Sequence, residues 1–135
     1  MAGSTGNQPQ NNQYVGGGFV RRTTPRSGER VLKSTDARCR WRLWLTSWGA
    51  LFLTNQRLIY CPSIFFLQRP FSIPLSMVSD AIVMTSVRSN LDMASKMRIE
   101  TGDVSYDFGF GIYGWRRRNE WVSAIRAAAD TVRGT

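Results

Sequence analysis

Histidine is absent from all 135 residues. A Ser-His-Asp triad, a Cys-His dyad and the commonest zinc and iron ligand are excluded together. Cysteine is scarce: Cys39 and Cys61 are too few for a four-ligand zinc site and too far apart in sequence for a CxxC pair. They are either one disulfide or two reduced thiols, and reduced thiols are the reading for an intracellular chain. Long hydrophobic runs are also missing. The longest uncharged apolar stretch, Leu43 to Gln56, is 14 residues and is interrupted by Thr46, Ser47, Gly49 and Thr54, well short of the roughly 20 needed to span a bilayer. Acid is lacking before Glu29, and no basic segment followed by an apolar one opens the chain, so no secretory signal is read. The expected location is intracellular, cytoplasmic or peripheral to a membrane. Arg21, Arg22 and Arg26 leave a mitochondrial address open, although the opening Gly/Asn/Gln run is not amphipathic.

What is present is positive charge. Eighteen Lys and Arg against nine Asp and Glu give +9, which calls for an anionic partner: a phospholipid surface, nucleic acid or an acidic protein. Residues 1–20 carry no charge, and GNQPQNNQYVGGG neither buries area nor holds a helix. The expected partition is a flexible basic Gly/Asn/Gln-rich tail, 1–30, and one domain, 31–135. Four arginines and Glu29 give the tail +3, leaving +6 for the domain.

From 40 to 108 short alternating runs are separated by turn residues, the pattern of antiparallel strands. Arg40 to Leu45 alternates, and Ser47-Trp48-Gly49 reads as a turn into Ala50 to Leu53. Thr54-Asn55-Gln56 turns the chain again into Arg57 to Cys61, stopped by Pro62. Phe71 to Pro74, between Pro70 and Pro74, reads as an edge strand. Ser79 to Met84, Lys96 to Glu100 and Val104 to Phe108 complete about seven, the last two joined at Thr101-Gly102-Asp103. The period then changes: Trp115, Arg118, Val122, Ile125, Ala129 and Val132 recur at spacings of three and four, so Trp115 to Arg133 is an amphipathic helix ended by Gly134, with Trp121 widening its apolar stripe. The expected fold is mainly β, a split barrel of about seven antiparallel strands closed by one C-terminal helix, the order found in pleckstrin-homology (PH)-like barrels.

Gly49-Ala50-Leu51-Phe52-Leu53-Thr54-Asn55-Gln56-Arg57-Leu58-Ile59-Tyr60 is similar to the G-x-L-Y-L-T-x-x-R-L-I-F signature of GRAM domains, PH-like modules. Phe71 to Leu75 with Val78 resembles the family's F-x-I-P-L-x-x-I strand, and Glu120 to Ile125 is similar to the E-W-x-x-A-I that closes many PH-like helices. The resemblance covers about residues 31–132. It implies a fold more than a function, because members bind phosphoinositides, other lipids or proteins. Within the signature Leu51, Leu53, Leu58 and Tyr60 are spaced to share one sheet face. Arg57, at a strand start, is read as bracing the barrel. Lipid-binding PH patterns carry a lysine-rich first hairpin. Here that turn reads Thr46-Ser47-Trp48-Gly49, with Arg40 and Arg42 before it, a departure from the pattern that holds inositol phosphates.

Gly109-Phe110-Gly111-Ile112-Tyr113-Gly114 matches GxGxxG by letter, but no parallel strand follows the helix, so its glycines are read as a tight crossing from sheet to helix. The same stretch has the aromatics of an RNA-stacking strand without that fold's second helix. Nucleic acid is accordingly the least favoured partner. Arg116-Arg117-Arg118 falls in the first helical turn, where cations oppose the macrodipole. It is either a solvated face or the seat of an anion. Ser63-Ile64-Phe65-Phe66-Leu67, beside Arg69, either tucks over the barrel mouth or presents an apolar tip. Glu100, Asp103 and Asp107 flank a hairpin without a nucleophile, base or metal-ligand company. No catalytic residue, metal, cofactor or small-molecule substrate is expected. The expected role is a non-catalytic interaction module: a docking adaptor or accessory subunit engaging an acidic protein surface in an assembly, or alternatively a module on an anionic membrane. The candidate contacts are Arg40, Arg42, Trp48, Phe65, Phe66, Arg69, Arg116, Arg117 and Arg118, with Arg21, Arg22 and Arg26 from the tail.

Overall fold

The computed structural model describes residues 23–40, 46–63, 70–84, 95–111 and 113–134. Seven strands are present among them: β1 (Val31–Arg40), β2 (Thr46–Thr54), β3 (Arg57–Pro62), β4 (Phe71–Pro74), β5 (Asp80–Met84), β6 (Lys96–Glu100) and β7 (Ser105–Gly109). They form one antiparallel sheet in the order β4-β3-β2-β1-β7-β6-β5. Helix α1 (Trp115–Arg133) follows, packing on β5, β6 and the short 3-10 turn at Leu75–Met77.

The sheet cannot be flat. From β4 to β7 is four strand steps, about 19 Å at the usual spacing. The Phe71 and Tyr106 rings nevertheless stack with centroids 5.3 Å apart, and Phe71 lies 6.4 Å from Phe108. The sheet therefore curls until its first half faces its second. The split barrel expected from the sequence is the architecture observed, with β4 and β5 as unjoined edges.

Alternation decides what fills it. Ala37, Cys39, Leu51, Leu53, Leu58, Tyr60, Ile73, Ala81, Met97, Ile99 and Phe108 point inward and form one core with Trp121, Val122, Ile125, Ala128 and Ala129 of α1. Trp121, 1% exposed, sits 6.3 Å from the Phe110 ring. Each large apolar side chain buried here contributes about 1.5–3 kcal/mol. Phe108 is wholly buried, so β7 offers no ring there for base stacking.

Two elements differ from the sequence reading. β1 begins at Val31, ahead of the alternation at Arg40, because the inward side of this strand carries small residues such as Ala37 and Cys39 that give little hydrophobic signal. Ser47-Trp48-Gly49 is not a turn but lies inside β2, paired with Cys39, Arg38 and Ala37. Gly49 is there for close approach: a Cβ on it would collide with the Cys61 carbonyl and come within 2.9 Å of the Tyr60 ring. The segment between β1 and β2, 41–45, on which most of the expected Arg40–Leu45 alternation falls, lies outside the described residues; its sequence, Trp-Arg-Leu-Trp-Leu, also contains no lysine. The glycine-rich crossing does serve the sheet-to-helix transition. Gly111 adopts φ +91, and a Cβ on Gly114 would strike the Phe110 carbonyl.

A second apolar cluster lies on the opposite, outward face of β2 and β3. It joins Val31, Phe52, Ile59 and Cys61, with Ala50 against them. Cys39 belongs to the inner core and Cys61 to this outer cluster. The sheet stands between them, and both are buried.

Candidate functional site

The β2–β3 turn is occupied by structural work. Arg57 donates from Nε to Glu29 Oε2 (2.8 Å) and from Nη2 to Glu29 Oε1 (3.0 Å). Thr54 Oγ1 donates to the same carboxylate (2.8 Å) and accepts from the N–H groups of Gln56 and Arg57 (3.0 Å each). The Glu29 side chain is wholly buried and the Arg57 side chain nearly so. Burial pushes the Glu29 carboxyl up. The hydrogen bonds from Arg57, the Arg26 N–H and Thr54, together with the Arg57 charge, outweigh it and hold the group below its ordinary value. Arg57 braces the fold, as its place at a strand start suggested.

The same turn grips the chain ahead of β1. Asn55 Oδ1 accepts from the Arg30 N–H (2.8 Å), and Asn55 Nδ2 donates to the Gly28 carbonyl (3.0 Å). Gln56 Nε2 donates to Ser27 O (2.8 Å) and Arg57 Nη2 to Thr24 O (2.9 Å). Residues 24–30, assigned to the tail on composition, thus pack against the domain. Arg26 is exposed, and its backbone N–H donates to Glu29 Oε1 (3.0 Å).

The start of α1 is the opposite case. Gly114 caps it without a side-chain hydrogen bond, and the first turn contains no acid. Tyr113 is 91% exposed and Trp115 49% exposed. The Arg116 guanidinium lies over the Trp115 ring, 5.1 Å from its centroid, and Arg117 is exposed beside it. Arg118 departs from the expected trio. It is half-buried, donating from Nη1 to the Met84 carbonyl at the end of β5 (3.3 Å) and from Nε to Asn119 Oδ1 (3.1 Å). The cationic patch is therefore Arg116 and Arg117, flanked by two open aromatic rings.

Trp48, 48% exposed on the outward face of β2, carries the Arg38 guanidinium 5.4 Å from its ring centroid. Arg38 pairs across the sheet with Trp48 and Gly109, and Gly109 with Lys96. The backbone of Arg40 ends β1 opposite Thr46. Its side chain, and Arg21, Arg22, Arg42, Phe65, Phe66 and Arg69 entirely, lie outside the described residues. Sequence reasoning missed Tyr113 and Arg38. A tyrosine placed between glycines in a connection is the signal that could have revealed the first, whereas the second required the β1–β2 register.

Asp107 is engaged by Arg98 in a two-point contact of 2.8 and 3.2 Å. Among the described residues no group of three His, Cys, Asp or Glu side chains is placed to hold a metal ion. No described helix is long and apolar enough to cross a membrane.

No protein-family model matches the chain, and no curated protein matches it. Solved structures do. The C-terminal domain of an unknown protein from Leishmania infantum superposes with a TM-score of 0.69 at 19% identity, covering 85% of this chain and 97% of that one. The Vps36 N-terminal PH domain gives 0.65 at 15% identity, over 82% and 86% of the two chains. The Slm1 PH domain, solved in complex with phosphoserine, gives 0.53 at 19% identity, over 74% and 96%. The fold is that of PH domains.

Proposed function

We propose that this chain is a non-catalytic, GRAM-type docking module that holds an acidic protein surface, as an accessory subunit of a larger assembly. The observation that carries this reading is the start of α1. There Tyr113, Trp115, Arg116 and Arg117 stand open together, with no acid in the turn. Exposed aromatic rings beside arginines have the composition of interface hot spots, and the uncompensated cations favour an acidic partner. The net charge of +9 would speed the encounter. The GRAM-type assignment is supported by the placement of its signature, Gly49 to Tyr60, along β2, the turn and β3.

Phosphate recognition needs donors that converge on one point. Arg118 instead turns to the Met84 carbonyl and Arg116 lies on Trp115, an arrangement better suited to a broad surface than to a single headgroup. An anionic membrane is the second reading, favoured by the exposure of Trp48 beside Arg38. In that case Arg40, Arg42, Phe65, Phe66 and Arg69 would join the contact.

The experiment is a pair of assays on the full chain. Vesicles of phosphatidylcholine with phosphatidylserine, an anionic lipid of the cytoplasmic leaflet, should leave the protein in the supernatant. The protein purified from its own cells should elute in a stoichiometric complex, which Arg116→Gln/Arg117→Gln weakens. Salt-sensitive sedimentation with the vesicles, lost in the same variant, would move the function to the membrane reading.

A further inference from the structure

The outward face of β2 and β3 poses a separate question. One face of an antiparallel sheet usually meets water. Here Phe52, Ile59 and Cys61 are 3%, 2% and 1% exposed although they point away from the barrel core. We propose that this face is the docking site of the chain's own N-terminal stretch, with Phe19 and Val20 as the side chains that seat on it.

Three observations select this occupant. First, the described chain ends against this same face. Arg57, Ile59 and Cys61 share one side of β3 by alternation, and Arg57 holds the Thr24 carbonyl (2.9 Å). Second, the reach fits. Thr24 to Val20 is four residues, about 13 Å of extended chain, and Arg57 to Cys61 is the same four residues along β3. Third, the composition fits. Residues 1–20 carry no charge, and Phe19 and Val20 are the large apolar residues nearest Thr24, with Tyr14 and Val15 behind three glycines.

The other candidate within the chain is Ile64-Phe65-Phe66-Leu67, which leaves from the far end of β3 beyond Pro62. The cluster instead leans toward the N-terminal segment. Val31 is one of its members and pairs with Thr54, and Phe52 faces Ile59, two residues from Arg57. A seated Phe19 would fix the course of Arg21 and Arg22 beside β3 and make the uncharged residues before it the part free to reach a neighbour. The face would then be an internal docking site that a competing apolar peptide could open.

The two cysteines supply the test, because Cys61 reports on this face and Cys39 on the core. In the wild-type chain both thiols should resist a thiol reagent under native conditions. Phe19→Ser/Val20→Ser should raise Cys61 labelling at least tenfold while Cys39 stays protected, and Phe65→Ser/Phe66→Ser should leave both protected. A complementary trap does not depend on the stability of the serine variants. In a Cys39→Ala background, Phe19→Cys or Val20→Cys should form an intramolecular disulfide with Cys61 under mild oxidation by oxidised glutathione, read as the loss of both free thiols at monomer mass. Disulfide formation by neither variant overturns the proposal. So does Cys61 labelling that rises with the Phe65/Phe66 variant but not with the Phe19/Val20 variant.

Discussion

Arg57 and Arg116 are the same residue type put to opposite uses. Arg57 is buried, with its guanidinium forked onto a buried carboxylate and a third donor on a backbone carbonyl. Arg116 is exposed and lies on a ring that is itself half in water. The first arrangement fixes a chain; the second leaves donors and aromatic area for something outside. Charge counted from the sequence cannot separate the two. What separates them is whether a carboxylate, brought from 28 residues away, closes the contact.

The contrast can be broken first by stability. Arg57→Ala leaves Glu29 charged and buried without its partner and should cost about 3–5 kcal/mol, read from urea unfolding. Trp121→Ala, which empties the contact between helix and barrel, sets the yardstick at about the same 3–5 kcal/mol. An Arg57→Ala loss below about 1 kcal/mol would mean that the ion pair is not the brace described.

Next in size is pH. The Glu29 carboxyl is held below its ordinary value in the fold, so the folded state binds its proton later than the unfolded chain does. Its contribution is complete above the unfolded value, about 4.3, and is lost as pH falls through the lower folded value. Stability should therefore decline below about pH 4.5, and Glu29→Gln, less stable at pH 7, should show a shallower decline over that window. An identical acid profile in the variant would remove Glu29 as the cause.

The smallest effect belongs to the start of α1. Arg116→Gln/Arg117→Gln should change stability by no more than about 0.5 kcal/mol, and in the favourable direction, since cations at a helix start oppose its dipole. A loss above about 1 kcal/mol in thermal or urea unfolding would show these arginines to be structural after all.

Much of the fold was legible because its signals are local. The alternation at Leu51/Leu53 and Leu58/Tyr60, the prolines around β4 and the three-and-four spacing from Val122 to Val132 each sit within one element. β1 was obscured because the interior it faces takes small residues such as Ala37 and Cys39. Ser47-Trp48-Gly49 resembled a turn because a glycine demanded by the close approach of the Cys61 carbonyl looks like one demanded by backbone conformation. Glu29 was hidden in a segment whose composition reads as tail, and its role depends on residues 54–57, far along the chain. At the candidate site Arg116 and Arg117 were visible as a charge run. The commitment of Arg118 to the Met84 carbonyl, and the stack of Arg38 on Trp48, follow from packing and register that no local pattern records.

The central claim is that the open surface at the start of α1 holds a protein partner. Its most direct measurement is the native elution mass of the wild-type chain and of Tyr113→Ser/Trp115→Ser/Arg116→Gln/Arg117→Gln, each expressed in the protein's own cells and followed by size-exclusion chromatography with matched thermal melts. The expected result is a wild-type chain in a complex well above its own 15.3 kDa and a folded variant that elutes alone. A folded variant that stays in the same complex as the wild type contradicts the claim.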